Sequence, residues 1–200
     1  MTGARGGRPR DPELDSRIIA ASIVLLAERG MPGFTGDAVA EQARVGKASI
    51  FRRWPSMHAL LADVVLQLGV RPVEQVLDLE QPGTLRQDLV FVLHAATTGP
   101  AAAAERAVLA DVARTADLRA AYSAGPALRL ARALEVVEQR GCRRGEPSWP
   151  SMDPVFAAHA LLTYESLVDD LAPPDLDEVD RVVDAVVLPG LLDYRTETPA

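Results

Sequence analysis

Two short helical patterns joined by a tight turn constrain this chain more than any other part of its sequence. Val39 and Ala43 lie at helical spacing after Thr35, whose hydroxyl is suited to cap a helix. A second pattern follows the turn at residues 44–46 and stops at a Trp-Pro pair. Ala40 supplies the small residue that two such helices need where they approach each other most closely. This spacing predicts a helix-turn-helix motif.

The second helix of this motif has two chemically different sides. Because a helix advances roughly 100° per residue, Ile50 and Trp54 share one apolar side that faces the protein core. The opposite side carries a small, a hydroxyl-bearing and a cationic residue: Ala48, Ser49 and Arg52. Between the two sides lie Lys47, Phe51 and Arg53. A short helix of this kind, about seven residues long, suits insertion into the major groove of DNA.

Each residue on the outer side has a contact that it could make with DNA. Arg52 suits the edge of a guanine, Ser49 a base edge or a phosphate, and the methyl group of Ala48 the methyl group of thymine. Lys47 lies where the amides of the helix N-terminus are exposed, which favours a phosphate. Residues 1–60 carry a net charge of +3 and residues 61–200 carry −10. A polyanion is therefore attracted only by the first part of the chain.

The remainder of the chain also has a helical pattern. Beyond residue 56 the apolar residues keep a helical period, and no segment shows the strict alternation of a strand. A Gly125-Pro126 pair within one long pattern predicts a kink or a break. The predicted fold class is all-α, with about nine helices: a three-helix helix-turn-helix head followed by a larger helical body. We place a flexible basic arm at residues 1–10, the head at 11–56 and the body at 57–200.

The stretch from Gly7 to about Val65, which includes the run KASIFRRW and the proline after it, resembles the N-terminal domain of the TetR (tetracycline-repressor) family of bacterial transcriptional regulators. The helix cap, the small residues and the cationic run agree with that family in order and spacing. The resemblance implies a DNA-binding head, an effector-binding body, and homodimerisation through the last two long helices. It implies a repressor that leaves a double-stranded DNA operator when a small-molecule effector binds in the body.

Four positions depart from the family pattern. Arg44 stands at a turn position usually held by glycine, and Gly46 replaces the usual serine cap. Phe51 stands where tyrosine is common and Met57 where lysine is common, which removes two phosphate contacts. We expect His58 and the basic arm to compensate in part. The predicted DNA-binding residues are Arg5, Arg8, Arg10, Thr35, Arg44, Lys47, Ala48, Ser49, Phe51, Arg52, Arg53 and His58.

Two further sets of candidates lie in the body. Polar or aromatic positions on the middle helices are candidate ligand-binding residues: Phe91, His94, Tyr122, His159 and Tyr164. A histidine on an apolar helix face is more often a core residue than a ligand contact, so both interpretations stay open. Apolar positions on the last two helices are candidates for the dimer interface: Leu161, Leu162, Val179, Val182, Val183 and Val186. The valines of the last helix suit the core of a single chain equally well.

Other classes of function find little support in the sequence. There is no HExxH, GxSxG or Walker sequence, and three scattered histidines with one cysteine give no metal-ligand spacing. We therefore predict neither an enzyme nor a metal or cofactor. The single Cys142 and the lack of a long apolar run predict a cytoplasmic protein without a membrane partner. The resemblance implies a bacterial protein that is associated with the nucleoid when bound to DNA. The alternative is a helical ligand-binding or protein-interaction module with weakened or lost DNA recognition.

Overall fold

The computed structural model describes residues 11–68, 83–146, 148–149, 151–168 and 172–193. Within these ranges the chain forms nine helices and no strand, so the predicted all-α class and helix number are confirmed. The predicted basic arm, with Arg5, Arg8 and Arg10, lies outside the described residues. None of the helices in the described ranges has both the length and the apolar character needed to cross a membrane.

The first four helices follow the predicted order. Helix α1 spans Pro12–Gly33 and begins at Asp11, whose side chain accepts hydrogen bonds from two backbone amides of the first turn. Its helical backbone is interrupted at Gly30, where φ is 61°. Helix α2 spans Gly36–Ala43 and α3 spans Lys47–Phe51, which is five residues and shorter than predicted. Helix α4 spans Met57–Gln67 after a cap at Ser56.

Five helices form the rest of the chain. Helix α5 spans Leu85–Thr97 and α6 spans Gly99–Arg114. Helix α7 consists of Ala116–Tyr122, a π-helical turn at Ser123–Ala127, and Leu128–Arg143. Helix α8 spans Asp153–Val168. Helix α9 consists of Leu176–Val182, a π-helical turn at Val183–Val187, and Leu188–Asp193.

The Gly125-Pro126 pair lies in the π-helical turn of α7. We predicted a kink or a break there because proline removes one backbone hydrogen bond and crowds the preceding turn. The residues that flank the turn keep right-handed helical φ and ψ, so the helix continues through the proline. A wider turn accommodates the proline ring locally, which is why the sequence signal for a break does not end the helix.

Two clusters of buried apolar residues hold the helices together. The first joins α1–α4 with α6 and the start of α7, and α1 packs most extensively against α6. The second joins α5, the C-terminal part of α7, α8 and α9. The first cluster therefore extends from the head into the body. We retain the division at residue 56 as a proposal, although packing is continuous across it.

Candidate nucleic-acid interface and ligand cavity

The turn between α2 and α3 places a non-glycine residue in a left-handed conformation. Arg44 has φ 54° and ψ 50°, and its backbone N–H bonds to the carbonyl oxygens of Ala40 and Glu41. A side chain in this conformation costs on the order of 1 kcal/mol relative to glycine. The Arg44 side chain is exposed to solvent. Arg44 thus adopts the left-handed conformation of the glycine that is usual at this turn position.

The inner side of α3 is anchored as the sequence predicts. Ile50 is fully buried, Trp54 is 4% exposed, and both belong to the first apolar cluster with Val39 and Ala40. The indole Nε1 of Trp54 also donates to Asp63 Oδ2 at 2.6 Å, which fixes the end of the motif to α4. Because Ile50 and Trp54 point inward, the opposite side of α3 is directed away from the core.

The outer surface of α3 consists of Lys47, Ala48, Ser49 and Arg52. All of them are exposed except Ser49, which is half-buried. Arg52 lies just beyond the last residue of α3 and keeps helical backbone angles, and its Nη2 donates to Ser49 Oγ at 2.8 Å. The structure therefore brings these four predicted residues together on one accessible surface.

Arg53 occupies a different environment from Arg52. Its side chain is only 13% exposed, its Nε donates to Asp15 Oδ1 in the first turn of α1, and its Nη1 donates to the backbone oxygen of Ser49. The sequence placed Arg53 between the two sides of α3 because angular position alone does not show which carboxylate lies nearby. In the structure Arg53 fastens the end of α3 to α1.

Two other predicted cations form exposed ion pairs. Lys47 Nζ lies 2.8 Å from Asp37 Oδ2, at the start of α2. His58 Nε2 lies 2.6 Å from Asp117 Oδ2, at the start of α7, and this hydrogen bond lowers the pKa of Asp117. Water screens exposed pairs of this kind, so they contribute little to stability.

The two remaining predicted DNA-binding positions lie beside α2. The Thr35 hydroxyl caps α2 by accepting from the backbone N–H of Ala38 at 3.3 Å. The Phe51 side chain is 39% exposed and lies over Gly36, where an added Cβ would be 3.2 Å from the ring. Gly36 therefore permits α2 and α3 to approach, a role for which the sequence analysis had no signal.

A cavity of about 230 Å³ lies among four helices of the body. One wall is apolar and includes Pro126, Leu130 and Phe156. The polar part consists of Glu105 from α6, Tyr122 and Arg129 from α7, and His159 from α8. The lining is completed by alanines: Ala96, Ala127, Ala133 and Ala160.

Glu105 and Tyr122 are hydrogen-bonded to each other within this cavity, and His159 also lines it. Glu105 is 6% exposed, and its Oε1 accepts a hydrogen bond from the Tyr122 hydroxyl at 2.5 Å. Burial, followed by the neighbouring Glu105 carboxylate, raises the pKa of Tyr122 far above its ordinary value. Burial lowers the pKa of His159, although the nearby Glu105 carboxylate and, to a smaller extent, a hydrogen bond to the Ala96 backbone oppose the shift. Tyr122 and His159 are therefore both neutral near pH 7.

Arg129 connects the cavity with the end of α4. Its Nη1 donates to the backbone oxygen of Leu66 at 2.7 Å and to that of Leu68 at 2.5 Å. Gly125, one helical turn earlier, packs so closely that an added Cβ would lie 2.6 Å from the Leu66 oxygen. The π-helical turn of α7 thus lies against α4 and also lines the cavity.

The candidate ligand-binding residues fall into two groups. Tyr122 and His159 line the cavity. Phe91 packs against the second apolar cluster, His94 is half-buried on α5, and Tyr164 is 64% exposed on α8. These three do not line the cavity. The sequence could not separate them from Tyr122 and His159, because helical periodicity does not reveal which face of α5 or α8 meets α7.

The candidate dimer-interface residues also divide. Leu162, Val179, Val182 and Val183 are buried in the second apolar cluster of this chain, and Val186 packs against it. Leu161 is 38% exposed on α8. Of the two interpretations that the sequence left open, burial within the single chain accounts for the valines.

The sequence analysis missed Glu105 and Arg129. Both lie in alanine-rich helices, where charged residues are expected to face solvent. One signal was available for Glu105, because buried neighbours flank it at Ala102 and Val108 on the same helical face. Arg129 gave no such signal, since the carbonyl oxygens that it contacts belong to α4, about sixty residues earlier.

Comparison with known proteins places the fold and the motif in context. The family profile with the description "Bacterial regulatory proteins, tetR family" matches residues 18–64. Over 192 residues the chain is 31% identical to Rv1556 of Mycobacterium tuberculosis, an uncharacterized HTH-type transcriptional regulator, and the alignment covers 92% of this chain and 93% of that protein. Residues 18–64 include all of α2 and α3.

Two solved structures share the fold. A TetR-family regulator from Mesorhizobium loti has a TM-score of 0.69 at 19% identity, covering 94% of this chain and 98% of its own. FadR from Bacillus subtilis, solved with stearoyl-CoA, has a TM-score of 0.64 at 16% identity, covering 86% of this chain and 97% of its own. At these identities the likeness concerns the fold alone.

Proposed function

The chain belongs to the TetR family of bacterial transcriptional regulators, which bind DNA through a helix-turn-helix and are not enzymes, and we propose that it is a homodimeric repressor. In this proposal a small molecule binds in the body cavity and releases the protein from its operator. The protein would act in the bacterial cytoplasm, where its operator lies.

The outer surface of α3 is the proposed contact with DNA bases. Arg52 and Ser49 are bonded to each other and, among the residues that the structure describes, to no acidic residue, so both can exchange this bond for base edges in the major groove. Lys47 and His58 lie at the margins and would exchange Asp37 and Asp117 for phosphates. After this exchange each cation is paired with a phosphate in place of its carboxylate, so its charge remains neutralised.

An exposed apolar face on α8 is the proposed dimer interface. Leu161, Tyr164 and Val168 follow at i, i+3 and i+7 and are 38%, 64% and 65% exposed. A twofold dimer presents two α3 helices to two half-sites of one operator, so a second copy of the chain is the partner that fits. We expect Val168→Glu to shift the protein toward monomer in light scattering, whereas Ala120→Glu, on an exposed part of α7, leaves the mass unchanged.

The contact of Arg129 with α4 carries the proposed release mechanism. Arg129 lines the cavity and donates hydrogen bonds to two backbone oxygens at the C-terminal end of α4. The N-terminal end of α4 follows directly after the DNA-binding motif. A ligand that binds better to one position of α4 than to another shifts the population toward that position. Because two half-sites must be bound together, a shift of α4 in each subunit weakens docking on the operator.

The solved complex of FadR with stearoyl-CoA supports a small-molecule effector for this fold. The cavity of about 230 Å³ in the present chain is too small for an acyl chain of that length. It is also below the roughly 300–1,000 Å³ that is usual for drug-sized ligands. The effector proposed here is therefore a much smaller molecule than the one bound to FadR.

Selection of duplexes from a random library tests the DNA-binding half of the proposal. We expect a palindromic site with half-sites about one helical turn apart, or a multiple of it. Selection that yields no specific duplex at low salt contradicts the proposal and favours the alternative of a module that has lost DNA recognition. The basis for that alternative would be the acidic partners of Lys47, Arg53 and His58.

Hydrogen exchange of the full chain tests the coupling half. Arg129→Ala should increase amide exchange in the last turn of α4, residues 64–68, and change the affinity for the selected operator. The matched control is Arg132→Ala, an exposed arginine three residues further along α7. Equal exchange in the two variants would show that Arg129 does not restrain α4.

A further inference from the structure

The second carboxylate oxygen of Glu105, Oε2, indicates which chemical group a ligand of the cavity would carry. Tyr122 donates to Oε1, and no other donor to this carboxylate is found in the described part of the chain. Among the described side-chain atoms, the one that is both fully buried and unpartnered is Arg106 Nε, so the second oxygen of Glu105, Oε2, keeps some accessible surface. Glu105 as a residue is 6% exposed, and its carboxylate thus keeps an acceptor position for a ligand.

The neighbouring polar groups do not fill that position. The Tyr122 hydroxyl is committed to Oε1, and His159 bonds to the backbone of Ala96. Arg106, next in sequence, donates from Nη1 to the backbone oxygen of Thr97 at 2.9 Å and does not line the cavity. Arg129 is directed to the α4 carbonyl oxygens. A buried carboxylate with an open acceptor position is costly unless a donor binds there.

We propose that the cavity binds small amphipathic amines, whose ammonium group donates a hydrogen bond to the Glu105 carboxylate while the apolar part packs against Pro126, Leu130 and Phe156. A charge-assisted hydrogen bond is roughly twice as strong as a neutral one, which favours an amine over an alcohol of the same shape. The net charge of −10 on residues 61–200 also attracts cations toward the body. The volume of about 230 Å³ limits the ligand to one ring or a short chain.

This inference rests on the proposed function, because it names the ligand class of the same cavity. Its test measures binding without DNA, so that a failure here is distinct from a failure of operator binding. The full chain is titrated calorimetrically with two matched sets of probes. One set is phenethylamine, 2-phenylethanol and phenylacetate, and the other is hexylamine, hexanol and hexanoate.

We expect each amine to bind at least tenfold more tightly than the carboxylate of the same shape, with the alcohol between them. Glu105→Gln should weaken amine binding about tenfold and change alcohol binding little, because glutamine keeps an acceptor oxygen and removes the charge. Glu135→Gln is the matched control, since Glu135 is exposed on α7 outside the cavity. Tyr122→Phe should keep amine binding, because it frees the other oxygen of Glu105.

Three results would overturn the proposal. The first is carboxylates that bind as tightly as amines, which would assign recognition to Arg129. The second is amine binding that Glu105→Gln leaves unchanged. The third is the absence of binding by both amines at millimolar concentration. If Glu105→Gln does not fold, the comparison of the three head groups on the wild-type protein still decides the first and the third of these results.

Discussion

The outer surface of α3 and the cluster around Asp88 in the body hold their charged groups in opposite ways. On the outer surface of α3, Lys47 pairs with Asp37, whose side chain is 80% exposed. In the body, Asp88 is 3% exposed and binds Arg144 at 2.9 Å and Arg140 at 3.4 Å. Water screens the first kind of pair and is excluded from the second. Surface pairs are therefore exchangeable, whereas buried pairs join helices.

The largest expected difference is between the two aspartates of these pairs. Asp88→Asn removes the buried carboxylate that Arg140 and Arg144 both contact, while Arg144 keeps Glu146 at 3.0 Å, and we expect it to lower the free energy of unfolding by about 3 kcal/mol. Asp37→Asn should lower it by less than about 1 kcal/mol. Urea denaturation of both variants measures the difference. Equal losses of unfolding free energy in the two variants would show that the buried and the exposed pair stabilise the protein to the same extent.

The next prediction concerns the function of the exposed surface. Arg52→Ala should weaken binding to the selected operator by roughly 10–100-fold and relax the preference at one base pair, with little change in stability. Arg181→Ala removes the same charge from an exposed position on α9 and serves as the control. Competition binding with the operator and its single-base variants measures both effects. A uniform loss across all variants would assign Arg52 to a phosphate instead.

A smaller effect is expected from protonation in the cavity. Burial lowers the pKa of His159 below its ordinary value of 6.5, so the unfolded chain binds this proton more readily than the folded chain. The stability associated with neutral His159 is thus fully present above about pH 6.5 and is lost as the pH falls below it. We expect unfolding free energies of wild type and His159→Gln to run parallel above about pH 7 and to converge below about pH 6. Curves of unfolding free energy that stay parallel over the whole pH range would contradict a lowered pKa of His159.

The smallest effect is expected at the margin of the exposed surface. Met57 is half-buried at the start of α4, where the family commonly has lysine. Met57→Lys should steepen the dependence of log affinity on log salt by about one unit, because one more phosphate is neutralised. Operator affinity measured at several salt concentrations gives the slope. A slope equal to that of wild type would reject a phosphate contact at this position.

Much of the head could be predicted because its pattern is local. The cap at Thr35 and the inward Ile50 and Trp54 all follow from residues within a few turns of one another. Backbone geometry limits what such short segments can do, so periodicity and turn chemistry are sufficient. The departure at Arg53 has a long-range cause, since its carboxylate partner Asp15 lies 38 residues earlier.

The cavity could be predicted only in part for the same reason. Its lining comes from α5, α6, α7 and α8, and the side of each helix that meets the others depends on how they cross. Tyr122 and His159 were found because their chemistry is unusual among alanines and leucines, whereas Phe91, His94 and Tyr164 have similar chemistry and lie elsewhere.

The sequence alone determined the all-helical class, the position of the helix-turn-helix, and the cationic residues that lie on the outer surface of α3. These depend on interactions between residues close in the chain, which spacing records directly. Only the tertiary structure decided that Glu105 faces a cavity, that Arg129 holds the end of α4, and that the C-terminal valines are buried in their own chain. Those outcomes depend on which helices pack together, and packing is set by all the contacting faces at once.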